Sequence, residues 1–190
     1  MHGPRWPWYQ RAVRGSLLLA LLVAGTAGSA GADQGEVTVA GHGGAALHQL
    51  DGRLAAGGGA GISAGYGLVD ALTLHGGASL TVHHLPGGPD GGLLLTWFAG
   101  AGLAYALDII RFVPSLEFAV GAIGVRRPLA GDRSEHRLGV GVQVALAFDY
   151  LLTRRLSVGA LVRYQAALSA PDAIPLHLFV GPRVTIRFGG

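Results

Sequence analysis

The segment LGVGVQVALAFDY, residues 138–150, alternates between large apolar side chains and small or polar ones. Its even-numbered residues are Leu, Val, Val, Val, Leu, Phe and Tyr, whereas its odd-numbered residues are Gly, Gly, Gln, Ala, Ala and Asp. A period of two places successive side chains on opposite faces of an extended chain. The segment is therefore predicted to be a β-strand, and its apolar face must contact either a protein core or lipid.

The same alternation recurs along the chain and predicts eight strands. They span residues 36–48, 53–68, 72–84, 93–107, 112–125, 137–150, 156–168 and 176–188. No window of this region has the 3.6-residue period of an amphipathic helix. The chain is therefore predicted to be all-β.

The connections between these strands alternate in character. Three of them, at 66–74, 105–113 and 150–158, begin with Tyr66, Tyr105 and Tyr150 and soon re-enter an apolar strand. The others, near 49–53, 86–92, 126–137 and 169–175, are rich in Gly, Pro, Asp and Arg and are longer on average. Short turns at one end and longer polar loops at the other are typical of an up-and-down barrel in a membrane.

The two faces of the predicted strands differ sharply in charge. The more apolar face carries no Asp, Glu or Arg. The opposite face carries Glu36, Arg53, Glu117, Arg137, Asp149, Arg163, Arg183 and Arg187, with His42, His48, His75, His83 and His177. Most other residues on that face are Gly, Ala, Ser and Thr, whereas a soluble lipocalin-like barrel needs long charged side chains outside. The pattern therefore favours a transmembrane barrel with the apolar face on lipid, where an arginine costs roughly 2–4 kcal/mol at mid-bilayer.

Composition and the N-terminus agree with export to a membrane. The chain of 190 residues is 50% hydrophobic and only 13% charged, and the charged fraction is about half that of a soluble domain. Residues 1–32 contain Arg5, Arg11 and Arg14, then the apolar run SLLLALLVAG, and end in Ala-Gly-Ala. This is the pattern of a secretory signal peptide cleaved after Ala32. The predicted domains are a signal peptide at 1–32 and a barrel at 33–190.

Charge and cysteine content exclude several classes of function. Three of the 14 basic residues lie in the predicted signal peptide, which leaves 11 against 11 acidic residues and no net charge. The basic pI is therefore no argument for nucleic-acid binding. Because the chain has no cysteine, disulfides and thiolate metal sites are excluded.

From Glu36 to Phe188 the chain resembles the small eight-stranded outer-membrane barrels of the OmpA-type and OmpX-like group. The resemblance rests on strand count, alternation, loop asymmetry and the final strand LHLFVGPRVTIRF, whose alternate residues end on Phe188. It implies a location in the outer membrane and recognition of the C-terminal strand by the outer-membrane assembly machinery. The family pattern usually ends on the aromatic residue, whereas Gly189 and Gly190 follow it here.

The resemblance also implies a lumenal network of carboxylate and guanidinium groups that plugs or gates the barrel. The candidates are Glu117, Arg163, Arg183, Arg187 and Asp149, with Glu117 paired to Arg163 or Arg183 because a buried carboxylate needs a charged partner. Simple neutralisation of lumenal charges is the alternative. Tyr66, Tyr105 and Tyr150 share the apolar face near the short turns and are predicted to form an aromatic girdle.

Metal binding and catalysis receive little support from the sequence. His42 and His48 lie about 20 Å apart along one strand, which is too far to chelate one ion. Metal binding by one of them together with residues of another strand stays an alternative. Ser79 shares a face with His75 and His83, and Ser157 is a second available nucleophile, but no carboxylate joins them as an esterase or acyltransferase requires. GAGISA at 59–64 has dinucleotide-binding glycine spacing but lacks the helix that must follow. We therefore expect no catalytic residues, no metal and no cofactor.

The sequence thus predicts an eight-stranded antiparallel up-and-down transmembrane β-barrel of a Gram-negative-type outer membrane. Both termini would lie in the periplasm, and the longer loops would face outward toward a surface partner of unknown identity. The predicted role is non-enzymatic, structural or in surface interaction, with a lumen largely filled by side chains. The alternatives are a narrow pore or apolar-ligand transporter, a lipid-modifying barrel enzyme, and a secreted lipocalin-like carrier.

Overall fold

The computed structural model describes residues 34–50, 53–84, 92–107, 109–128, 134–169 and 176–189. The predicted signal peptide at 1–32 lies outside the described residues. Eight strands are present: β1 Val37–Leu50, β2 Arg53–Val69, β3 Leu72–His84, β4 Leu93–Ala106, β5 Phe112–Pro128, β6 Ser134–Leu151, β7 Leu156–Ala167 and β8 Leu176–Phe188. The described residues contain no helix long and apolar enough to cross a membrane.

The strands form one closed antiparallel barrel in chain order. Each strand pairs with its neighbours in sequence, and β8 returns to β1, where Val37 is opposite Phe188. Closure leaves no strand with an unpaired edge, which is a requirement for a sheet placed in hydrocarbon. The predicted fold class is confirmed.

The β5–β6 hairpin extends further than the alternation predicts. The loop expected at 126–137 is wrong in its bounds, because Arg126 pairs with His136 and Arg127 with Glu135 in a continuing ladder. Alternation of apolar residues stops before this point, so the pattern could not show these strand ends. The loop expected at 49–53 is likewise shorter, since β1 reaches Leu50 and β2 starts at Arg53.

The barrel has a turn end and a loop end. At the turn end, the short connections after β2, β4 and β6 lie beside the start of β1 and the end of β8. The β2–β3 turn consists of Asp70 and Ala71, and Ala71 has a φ of 72°. A left-handed residue at this position of a β-turn is typical of glycine and is disfavoured for a residue with a Cβ atom. The opposite ends of the strands form the loop end.

Large apolar side chains point outward all round the described strands. Exposed examples are Ile62 on β2, Leu103 on β4, Val144 on β6, Val162 on β7 and Val180 on β8, with Ile62 exposed to 68%. A lipocalin-like barrel would turn this face inward, so the structure excludes that arrangement. Trp97 also lies on the outer face, where its indole ring covers the neighbouring Gly124.

The interior is filled by side chains from the opposite face. Phe98, Ile123 and Leu94 belong to one buried apolar cluster, and Phe179 and Leu161 belong to another. Glycines and alanines on adjacent strands leave the space that these larger residues occupy. The polar residues of the lumen are therefore held in a packed and narrow interior.

Candidate functional site

An ion-pair network crosses the lumen toward the turn end. Strands β5, β6 and β8 place Glu117, Asp149 and Arg183 on their inner faces. Nη1 of Arg183 donates a hydrogen bond to Oε1 of Glu117, and Nε of Arg183 lies 3.7 Å from Oδ2 of Asp149. One guanidinium group therefore neutralises two carboxylates from strands that are not its neighbours.

Thr185 completes the polar contacts around this arginine. Nε of Arg183 donates to the Thr185 hydroxyl at 3.2 Å, and that hydroxyl donates to Oδ2 of Asp149 at 3.3 Å. A second ion pair lies near the chain ends, with Nη1 of Arg187 3.5 Å from Oε1 of Glu36. All these side chains are largely shielded from solvent, so each charge depends on its partners.

Arg163 occupies a different environment from the other two lumenal arginines. Arg163 is 3% exposed, yet among the described residues it forms no ion pair with a carboxylate. Nη1 of Arg163 lies 2.9 Å from Nε2 of His42, and its guanidinium carbon lies 4.8 Å from the centroid of the Phe179 ring. Because a guanidinium group can only donate, Nε2 of His42 accepts and the imidazole proton belongs on Nδ1.

The position of His42 depends on a glycine in the neighbouring strand. Gly61 is the register partner of His42, and a Cβ atom at residue 61 would lie 2.5 Å from Nε2 of the His42 ring. The ring of His42 also meets Phe179 edge-on, with centroids 5.4 Å apart. Small residues on β2 thus allow His42, Arg163 and Phe179 to pack together across the barrel.

Comparisons with known proteins bear on the fold. No protein-family profile and no curated protein sequence matches the chain. Neisserial surface protein A is 18% identical with a TM-score of 0.65, and the alignment covers 82% of this chain and 100% of that one. Ail, the attachment invasion locus protein of Yersinia pestis, is 13% identical with a TM-score of 0.59, covering 82% and 99%. The outer-membrane protein OprG of Pseudomonas aeruginosa is 18% identical with a TM-score of 0.58, covering 84% and 99%.

This chain has the fold of the small eight-stranded outer-membrane barrels. The fold implies a lipid environment for the apolar outer face and supports a location in the outer membrane. The polar residues described above therefore line a lumen enclosed by strands. The identities are too low for residue roles to be carried over from the matched proteins.

The three tyrosines of the predicted girdle lie at the turn end of the barrel, on its outer face. Tyr66 is exposed, while Tyr105 and Tyr150 are half-buried against neighbouring side chains. The Tyr150 ring packs edge-on against Phe112, with centroids 5.1 Å apart. Phe112 and Phe188 share this end and face, so the aromatic residues here are more numerous than the three predicted tyrosines.

The serine and histidines weighed for catalysis are not assembled into a nucleophile and base. The Ser79 hydroxyl accepts from Nε2 of Gln165 at 3.4 Å, and Nε2 of His75 lies 3.3 Å from the carbonyl of Phe118. Nε2 of His83 lies 3.1 Å from the Thr81 hydroxyl. Within the described strands, neither histidine hydrogen-bonds Ser79.

Two small cavities adjoin the charge network. One of about 20 Å³ is lined by His42, Phe98 and Arg163 among others, and one of about 60 Å³ lies nearer the turn end, beside Asp149 and Thr185. Glu117 and Arg183 line both cavities. The smaller has room for about one water molecule and the larger for a few, so the Arg183–Glu117 pair borders two small spaces.

Alternation along the sequence does not by itself assign Glu36 and His42 to the network. Their inner-face positions were the available signal, but alternation gives only the face of a strand. It also does not bring together His48, His83 and His177, which lie at the loop ends of β1, β3 and β8. Only the cross-strand registers show that these three residues meet.

Proposed function

We propose that this protein is a non-enzymatic structural barrel of the outer membrane whose lumen is closed to ions and solutes. The ion pair of Arg183 with Glu117 is the observation that carries this proposal. It ties β8 to β5 across the lumen, and Arg163 stacked on Phe179 occupies the space beside it. An open pore needs a continuous water-filled path, whereas the cavities beside this pair measure about 20 and 60 Å³.

The remaining features of the proposed function follow from the barrel's asymmetry. The signal peptide at 1–32 directs export, the turn end with both chain ends faces the periplasm, and the loop end faces the outside. The final strand ending at Phe188 is recognised by the outer-membrane assembly machinery. Any surface partner binds at the loops, and Tyr66, Tyr105 and Tyr150 anchor the turn end at the membrane boundary.

Planar-bilayer recordings test the closed lumen. We expect the folded wild-type protein to give no discrete conductance steps, and Glu117→Ala to stay equally silent because Phe179, Leu161 and Phe98 still fill the interior. Glu135→Ala removes an exposed carboxylate that pairs with Arg137 at the loop end and serves as the matched control. Steps in the wild type would establish a narrow pore, and steps in Glu117→Ala alone would make the network a gate.

Two further measurements separate the proposal from its rivals. Cells expressing a tagged protein should retain it in the outer-membrane fraction, with gel mobility that changes on heating; recovery as a soluble periplasmic protein would contradict a membrane barrel. Incubation with phospholipid vesicles should release no fatty acid. Steady release that is lost in Ser79→Ala would establish the lipid-modifying alternative instead.

A further inference from the structure

Three histidine rings meet inside the barrel near its loop end. The ring centroids of His48 and His83 lie 5.4 Å apart, those of His83 and His177 5.3 Å apart, and those of His48 and His177 6.1 Å apart. Each residue is at most 1% exposed. The cluster lies apart from the charge network described above and is not used by the proposed function.

The registers explain why these rings converge. His48 and His177 are direct partners across the β1–β8 seam. His83 lies on β3, and the intervening strand β2 contributes only Ala55 opposite His48 and Gly57 opposite His83. A Cβ atom at residue 57 would lie 2.0 Å from a backbone oxygen, so this position requires glycine. The two small residues on β2 leave the lumen open for the rings on either side.

The hydrogen bonds around the cluster leave imidazole lone pairs without donors. Nε2 of His83 and Nε2 of His177 each lie 3.1 Å from the Thr81 hydroxyl oxygen, whose own proton goes to the carbonyl of Thr96. Both Nε2 atoms therefore donate to Thr81, and Nδ1 of His177 carries a lone pair. Among the described residues, neither that Nδ1 nor either nitrogen of His48 has a hydrogen-bond partner.

We propose that His48, His83 and His177 bind one divalent transition-metal ion of the zinc class. A buried polar atom without a hydrogen-bond partner is unfavourable, and coordination would use the lone pairs that hydrogen bonding leaves free. Neutral imidazole suits Zn²⁺, Cu²⁺ and Ni²⁺ better than it suits Mg²⁺ or Ca²⁺. The chain has no cysteine, so three nitrogen ligands with one open position is the coordination available here.

Two of the three ring spacings match such a site, whereas the spacing between His48 and His177 is longer, at 6.1 Å. Three imidazoles bound tetrahedrally, with metal–nitrogen distances of about 2.0–2.1 Å, have centroids about 5–5.5 Å apart. In the described residues, no three histidine or carboxylate side chains already point their ligating atoms at one metal position. Rotation about the Cβ–Cγ bond moves the nitrogens while the centroid stays nearly in place, and this torsion is broad in histidine. Ion binding is therefore coupled to turning of the rings.

The test is zinc binding by the folded barrel in detergent, measured by equilibrium dialysis and titration calorimetry. We expect one Zn²⁺ per chain, and affinity reduced at least about tenfold in His177→Gln and in His83→Gln, because each removes one of three ligands. His84→Gln and His75→Gln are the controls. His84 is exposed beside the cluster, and His75 is a lumenal histidine outside it; both should bind as the wild type does.

Cobalt binding gives an independent measurement. Co²⁺ in a tetrahedral nitrogen site should produce visible absorption bands that His48→Gln abolishes. Heat-modifiable gel mobility of each variant confirms that the barrel is folded. Failure of the wild-type barrel to bind zinc at about 100 μM, or equal loss of affinity in His84→Gln, would overturn the proposal and assign the free nitrogens to water.

Discussion

Arg163 donates to the His42 ring across 2.9 Å, instead of to a carboxylate. Arg183, on the adjacent strand β8, contacts both Glu117 and Asp149. The two lumenal arginines therefore differ in their partners, since only Arg183 neutralises carboxylates. Removing Arg183 leaves two carboxylates without their shared cation, whereas removing Arg163 leaves a neutral imidazole and a phenyl ring.

The two arginines should respond differently to the same substitution. We expect Arg183→Met to lower the free energy of unfolding by about 3–5 kcal/mol, because it breaks a buried ion pair from one side. Arg163→Met should stay within about 1 kcal/mol of the wild type, since a methionine fills the space beside Phe179 without a buried charge. Urea unfolding in lipid vesicles, followed by gel mobility, measures both. Equal losses in the two variants would contradict this assignment.

The outward direction of the apolar face can be tested at Val144. This residue lies on β6 between Phe118 and Tyr164 of the adjacent strands, and all three are exposed. Val144→Arg should lower the stability of the barrel in lipid vesicles by about 2–4 kcal/mol if this position lies near mid-bilayer. Val144→Leu preserves the apolar surface and should fold as the wild type does. A tolerated arginine would place this face away from lipid.

Trp97 and Gly124 provide a spectroscopic test of packing on the outer face. A Cβ atom at residue 124 would lie 2.4 Å from Cε2 and Nε1 of the indole ring, so Gly124→Ala must displace Trp97. Because Trp97 is the only tryptophan outside residues 1–32, its fluorescence spectrum in the processed protein should change. Gly41→Ala is the control, since a Cβ atom there meets nothing within 4 Å. An unchanged spectrum in Gly124→Ala would refute the contact.

The β2–β3 turn should be improved by a glycine. Ala71 has a φ of 72°, a conformation that costs an L-residue roughly 1–2 kcal/mol but is accessible to glycine. Glycine also loses more conformational entropy on folding, which offsets part of this gain. We therefore expect Ala71→Gly to raise the free energy of unfolding by up to about 1 kcal/mol. Ala78→Gly in the middle of β3 should lower it by about 0.5–1 kcal/mol. If the free energy of unfolding falls in both variants, the backbone at Ala71 is not strained.

The sequence predicted the strands and their faces well because both depend on local alternation. All eight strands match the predicted ranges within three residues at each end, and the alternation at Val144 and Gln143 assigned outer and inner faces correctly. The largest departures are at Pro128 and Ser134, where the ladder continues through charged residues. Backbone pairing continues there through Arg127 opposite Glu135, and hydrophobic periodicity carries no information about it.

The lumenal contacts could not be predicted in the same way. Alternation places Glu117, Arg163 and Arg183 inside the barrel but does not say which of them share a height or a side. That depends on the stagger between strands, which the sequence pattern does not contain. The contact between His83 and His177 is even harder to predict from alternation, because two other strands separate β3 from β8 around the barrel.

The pairing of Val37 with Phe188 has a kinetic consequence. Seven of the eight seams join strands that follow each other along the chain, whereas the β1–β8 seam joins residues from its two extremes. Its closure must overcome the entropy of the largest loop in the protein, and non-local pairing of this kind slows folding. The last seam to form should therefore set the rate at which the barrel seals itself within the bilayer, and His48 opposite His177 lies on that seam.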